Sequence, residues 1–477
     1  MLTRLPANRW SYETAAHLLN RAGFGGPPNE IEQLRAQGLE SSVNALLSPP
    51  DEPIDASVLP WNVPVDILKK RQELRALKDD KNQFREKRKE LRREQHGELR
   101  DLRYWWLERM QTTRAPLVEK MTLFWHGHFA TSAQKVKETY FMWRQNETFR
   151  SHALGNFTTL LKAVSRDPAM MIYLDLQESR KAHPNENWAR ESMELFALGI
   201  GNYTEKDVRE SARAFTGYRI DRVRHEFRFV DSEHDETTKT FLGRTGDFSG
   251  DDVLDVIVRQ PACAQFIGRK LWRFFVEDEP SAPAVDAVAE SLRRNDFELR
   301  PVLREIFLSS DFYSDRVRRA QIKSPVQFLV QSCRLLETEL PPTRAAAGAM
   351  LAMGQVLLAP PNVKGWDGGK AWVSTSTLLF RYNFANYLLA GTARNPNAPA
   401  ALQRNPIDLA KIIPTDLRGQ PDALIANLSR RLYQAPSPEK EAATLLAYLR
   451  AQPSPTSDAA MFHLLHLMMS TPQFQLT

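Results

Sequence analysis

The chain is 477 residues long, 42% hydrophobic and 9% aromatic, a length that admits two or more domains and a globular balance that builds a large core. Two cysteines, Cys263 and Cys333, exclude a disulfide framework or a cysteine-based zinc site, and no run of about 18 apolar residues exists to span a membrane. The net charge of +6 sits in one place: residues 69–103 carry 14 Lys/Arg against 8 Asp/Glu, which leaves the rest of the chain neutral.

The N-terminus shows no apolar secretory core and no twin arginine. That reads as cytoplasmic by default, with export beside a partner or after loss of a leader as the alternative. Residues 1–64 read as short helices closing on a proline-punctuated loop. Ser11 and Thr14 cap the first helix one residue out of the usual register, with Glu13 in its first turn, and Gly-Gly-Pro-Pro at 25–28 stops it. Residues 65–112 predict a basic helical arm. Leu77, Phe84 and Leu91 recur every seven residues, but Lys81 and Arg88 hold the intervening heptad positions. That seam is too thin for a coiled coil and suits a solvated arm or hairpin. Aromatic residues enter only at Tyr104, Trp105 and Trp106, so stacking on nucleic acid is not expected.

Residues 113–391 predict the main helical domain. Helices are expected at 115–126, 133–150, 155–164, 167–178, 185–199 and 204–215. The short alternating stretches GYRIDR, HEFRFV and TKTFLG predict a small antiparallel sheet or a set of hairpins, from about 217 to 243. Helical patterning resumes at 250 and runs to about 336, then again at 344–354 and 375–391. Residues 392–477 predict a linker, over 392–420, and C-terminal helices packing on the main domain. The expected fold is mainly α: a large multi-helix domain with one small antiparallel β-hairpin or sheet insertion and a charged helical arm.

Five stretches share one resemblance. They are HLLNRAGFG (17–25), EKMTLFWHGHFATS (119–132), NENWARESMELFALGIGNYTEKDVRESARAFTGY (185–218), HDETTKTFLGRTGDFSGDDVLDVIVRQPACAQFIGRKLWRFFV (234–276) and PPNVKGWDGGKAW (360–372). In order, and over most of the chain, they resemble the bacterial domain-of-unknown-function 1800 family. The resemblance carries no settled activity. It implies a protein that is often exported. It also implies a neighbour from the domain-of-unknown-function 1501 family, a sulfatase-like protein that becomes an expected partner.

Four stretches could carry chemistry. His126 and His128 lie two apart, about 200° around a continuous helix, and converge on one metal only if the helix ends near His126. Otherwise they cap a helix end, where histidine suits the dipole. Glu119 stands two turns earlier and could orient such a pair. Next, NENWARESMELF places Glu186, Arg190, Glu194, Asn187 and Glu191 within about 140° of arc. This is either a salt-bridged surface or an acid–base or metal set. His234 and Asp235 either ligate a metal or close a turn. In the loop 360–375, Lys364 and Lys370 could hold an anion at a helix start capped by Ser374 or Thr375. Trp366 and Trp372 there could stack on a sugar or plug the core. No nucleophile elbow, HExxH or dinucleotide fingerprint occurs.

Two functional expectations follow. The first is an enzyme, hydrolytic or group-transferring, acting on an anionic or carbohydrate-like substrate. His126, His128, His234 and Asp235 would hold one divalent metal, with Glu191, Glu194 and Glu119 in acid–base or orienting roles. Arg190 would join them in catalysis, orienting a carboxylate or binding an anionic substrate group, and Asn187, Lys364, Trp366, Lys370 and Trp372 would hold the substrate. The second is a non-enzymatic binding or escort protein that docks a sulfatase-like partner or an anionic polysaccharide through the basic arm.

Overall fold

The computed structural model describes residues 2–62, 67–391, 399 and 402–477. Parts of the expected linker, 392–398 and 400–401, lie outside these. The first four N–H groups of a helix have no partner within it. Four helices here meet that need with reciprocal capping boxes. Ser11 pairs with Thr14, Thr204 with Asp207, Ser249 with Asp252 and Ser374 with Thr377. The Ser11–Thr14 cap is therefore in register, with threonine standing where glutamate is usual.

Among the described residues the helices enclose two large hydrophobic cores and a small third cluster of Ala15, Ala16, Leu19 and Ile31. One is built from the N-terminal helices and residues up to Val317. The other joins the inner end of the arm to the helices beyond residue 326 and to the C-terminal helices, ending at Phe474. A helix from Pro116 to His128 stands between them, with Leu117, Met121 and Trp125 in the first core and Leu123 in the second. Apolar side chains all round are what a helix buried on both sides requires. The helix Thr139–Ser151 is shared in the same way, through Phe149 on one side and Phe141 and Met142 on the other.

Three expected helices are shorter than their pattern. Lys137 adopts a left-handed φ of 63°, so the run 133–150 splits into Ala133–Val136 and Thr139–Ser151. Asp175, at φ 57°, ends Pro168–Tyr173 before a short 3₁₀ turn. The third helix, Glu186–Glu194, unwinds before Gly199, which sits at φ 82°. The β element is a pair of separate antiparallel hairpins, one of the two expected forms. Tyr218–Asp221 pairs with Glu226–Phe229, and Lys239–Phe241 pairs with Arg244–Gly246.

The arm is a helical hairpin. Ile67–Ala76 turns at residues 77–80 into Lys81–Thr112, a helix of 32 residues. Asp80 caps it, accepting from the backbone N–H of Asn82 and Gln83 at 3.0 Å each. Phe84 and Leu91 are half-buried on the hairpin's inner side. Leu102 is the first fully buried residue, so the helix leaves the core there and runs outward for about 30 Å.

Candidate functional site

The helix Pro116–His128 continues through Gly127, so the two histidines point to different places. His126 lies between Trp106 and Trp366, with ring centroids 5.3 and 5.5 Å away. Its Nε2 accepts from the Leu358 backbone N–H at 3.0 Å. His128 sits among Phe124, Phe129 and Phe196, and its Nε2 donates to the Phe196 carbonyl at 3.0 Å. Burial, with Arg103 nearby, pulls His126 down to about 3. Burial, with Lys270 nearby, pulls His128 well below its ordinary range. Both are neutral imidazoles that tie the helix end to neighbouring backbone. Among the described residues no three His, Cys, Asp or Glu side chains are grouped to hold a metal.

Glu119 is fully buried, and its carboxylate is saturated. Arg109 Nε and Arg150 Nε both reach Oε1 at 2.7 Å. Trp106 Nε1 and Arg150 reach Oε2 at 2.9 and 3.0 Å. Burial raises its pKa, but the two arginines outweigh it and hold the group below the usual glutamate range. Glu119 thus joins three helices and has no lone pair left for a reacting group.

On the helix Glu186–Glu194, Arg190 makes a bidentate pair with Glu205 at 2.7 and 2.8 Å and a longer contact with Glu186 at 3.4 Å. Asn187 is exposed, and its backbone N–H is capped by Asn185 at 2.9 Å. Tyr203 donates to Glu194 at 2.5 Å. Glu191 is half-buried. Its burial, then the charge of Glu194, raise it above the usual glutamate range. Asp235 accepts from Arg213 at 2.7 Å and from the Thr237 N–H at 2.9 Å. Burial raises this group, but those bonds prevail and hold it well below the carboxylate range. His234 donates from Nδ1 to the Thr216 carbonyl at 2.9 Å. Both residues close the loop between the hairpins. Among the described residues, no hydrogen bond joins these groups to His126 or His128.

The loop 360–372 packs on the end of the histidine helix. Gly365 lies so close to the Gly127 carbonyl that a Cβ on it would come within 2.4 Å, and its φ of 83° suits glycine. Trp366 is half-buried and packs on His126, and Trp372 is 9% exposed. Lys364 and Lys370 are exposed. Ser374 is the helix cap, and its hydroxyl accepts from the Thr377 N–H at 3.2 Å.

The charge on the arm is segregated, a feature the count of basic residues does not reveal. Lys81, Arg85, Arg88 and Arg92, at i, i+4, i+7 and i+11, fall within about 60° of one another around the axis. All four are exposed, with Lys89 and Arg93 exposed alongside. Glu86, Glu90, Glu94 and Glu98 occupy the opposite side. Lys87 sits among these acids and pairs with Glu90 at 3.2 Å, and Lys89 reaches Glu86 at 4.0 Å. No described acid pairs with the four stripe residues. The spacing was present in the sequence, and reading it needed the helix register over 81–98 rather than composition.

Lys270 is the other residue that sequence reasoning missed. It sits at the edge of the apolar face of Pro261–Phe275, with its ammonium 5.1 Å from the Phe266 ring centre.

No curated protein and no solved structure is found to be similar to this chain. Residues 17–476 match the family described as "Protein of unknown function (DUF1800)". Since the match runs from the first helix to the last, the chain belongs to that family along nearly its whole length.

Proposed function

We propose that this protein is a binding protein that docks an anionic partner through the basic stripe of its helical hairpin. The observation that supports this is the separation of charge on the outward helix. Four exposed cations form a row about 16 Å long, with the acids turned away from it. Such a row attracts a polyanion such as a sulfated or uronate polysaccharide. Salt should weaken the attachment, because exposed charges are screened beyond about 10 Å at 0.1 M ionic strength. Tyr104 and Trp105 are half-buried and Trp106 is buried, which leaves no aromatic platform on the stripe for bases. Among the described residues, no helix is long and apolar enough to cross a membrane.

The test is retention on an immobilised sulfated polysaccharide. The wild type should elute at a high salt concentration. The variant Lys81→Gln/Arg85→Gln/Arg88→Gln/Arg92→Gln should elute early with an unchanged thermal midpoint. Equal retention of the two proteins would sink the reading. A sulfatase-like protein of the domain-of-unknown-function 1501 family is the first protein partner to try on the same pair of proteins.

The enzyme reading narrows to Glu191 and Glu194. Of all the groups considered, this pair keeps one carboxyl half-buried and raised beside another, as acid–base work requires.

A further inference from the structure

We infer that His96 is a proton-dependent fifth contact of the basic stripe, so that the arm holds a polyanion more tightly as pH falls below neutral. The inference rests on the stripe as the docking surface and adds its regulation. His96 lies on the helix Lys81–Thr112, one turn and about 6 Å beyond Arg92. Seen down the axis it stands about 40° from Arg92, so it extends the row of Lys81, Arg85, Arg88 and Arg92 to about 22 Å. Its side chain is exposed. It is also the last exposed place in the row. Leu99, next on that side, is half-buried against the second core, and Arg103 donates to the Leu357 carbonyl at 2.6 Å. A polyanion that follows the four permanent cations toward the body therefore meets His96 last.

Histidine is the side chain whose charge ordinarily changes between about pH 5 and 8, whereas lysine and arginine keep theirs across that range. The charged neighbours of His96 on its own helix are cations. Arg92 and Arg93 stand one turn before it and Arg100 one turn after, the last at 3.4 Å from Asp101. Glu94 and Glu98 lie about 160° away around the axis. The helices of the body that pack on the arm, Pro325–Leu335 and Thr343–Met353, each carry one charged side chain, Arg334 and Arg344. On the first helix of the hairpin, Glu73 is turned to Lys87 at 4.0 Å, and Arg75 is exposed further out. The Glu119 cluster meets the arm at Trp106 and Arg109, about 15 Å further along the axis. Among the described residues no acid pairs with His96. A bound polyanion supplies the negative charge that would hold a proton there. The two events are then coupled: whatever factor the proton adds to polyanion affinity, the polyanion adds to proton affinity. Binding near neutral pH should draw a proton from the buffer.

The experiment is titration of the full chain with dextran sulfate, whose sulfate esters stay ionised throughout, at about pH 5.5 and about pH 7.5 and constant ionic strength. The proteins are the wild type, His96→Gln, His96→Arg and the variant Lys81→Gln/Arg85→Gln/Arg88→Gln/Arg92→Gln. Wild-type affinity should be about three- to fivefold higher at the lower pH, the worth of one exposed charge contact. His96→Gln should lose this dependence and bind at both values as the wild type does at the upper one. His96→Arg should lose it too, and bind at both as the wild type does at the lower. Glutamine and arginine are good helix formers, so thermal midpoints should not move. Isothermal titration near neutral pH, in two buffers of different ionisation heat, should show proton uptake by the wild type that His96→Gln lacks. An equal pH dependence in the wild type and His96→Gln, or none in the wild type, overturns the inference, and the stripe stands if the quadruple variant binds weakly. If the quadruple variant binds as the wild type does, the stripe reading itself fails, and the inference with it.

Discussion

His126 and His128 carry the same side chain two residues apart, and desolvation makes both neutral while the helix turns them to opposite sides. Each ring then acts by its local partners, one accepting from Leu358 and the other donating to Phe196. The same logic separates the carboxylates. Glu119 is buried yet ionised because two arginines meet it, whereas Glu191 is raised by its burial first and then by the charge of Glu194. This difference can be measured residue by residue. In a carboxyl-carbon NMR titration, Glu191 should titrate above the ordinary glutamate range. Replacing Glu194 by Gln removes a negative charge and should move the Glu191 midpoint down. An unchanged midpoint would show that the two groups do not interact.

At the scale of elements, the Glu119 cluster ties the arm to the body. Trp106 and Arg109 come from the arm helix, Arg150 from Thr139–Ser151 and Glu119 from the central helix. Removing one partner of a buried ion pair leaves an uncompensated charge, at a cost of ~3–5 kcal/mol. Glu119→Gln should lower stability by about that amount in urea unfolding, and Glu119→Asp by less. A loss within ~0.5 kcal/mol, the range of surface changes, would count against the cluster as a clamp. The direction with pH follows. Glu119 has a lower pKa folded than unfolded, so its contribution is present above the ordinary glutamate value and is lost as pH falls through the folded value. Among the described residues, the four stripe side chains make no comparable buried contact, which is why the stripe can be neutralised without a matching loss.

Across the whole molecule, two buried lysines bond to amide and carbonyl oxygens in place of carboxylates. Lys120, on the central helix, donates to Gln327 Oε1 at 2.6 Å, and Gln331 donates to Asn20 at 2.9 Å. Asn20 in turn donates to Gln434 at 2.6 Å. Lys323 donates to the Phe474 carbonyl at 2.7 Å, against the Phe474 ring. Burial pulls both lysines down to about 7. The unfolded chain therefore binds more protons than the native one between about 7 and the ordinary lysine value of 10.5. Stability should rise with pH across that window. Thermal midpoints measured through it should climb in the wild type and climb less steeply in Lys120→Met. Parallel curves would mean that Lys120 titrates normally.

Much of the architecture was legible from neighbours in sequence. Helical periodicity, the serine and threonine caps and the charge surplus of the arm are set by residues a few positions apart, and they carry through to the fold. Helix interruptions at Lys137 and Asp175 were not legible, because a left-handed residue without glycine is held there by its surroundings. The site candidates divide on the same line. The sequence determined which groups are ionisable and which share a helix face, including the stripe 81–92. Tertiary structure alone decided that Glu119 meets arginines 10 and 31 residues away and that Arg190 is taken by Glu205. The reason is physical: periodicity is local, whereas desolvation and charge pairing depend on whatever the rest of the chain brings within a few ångströms.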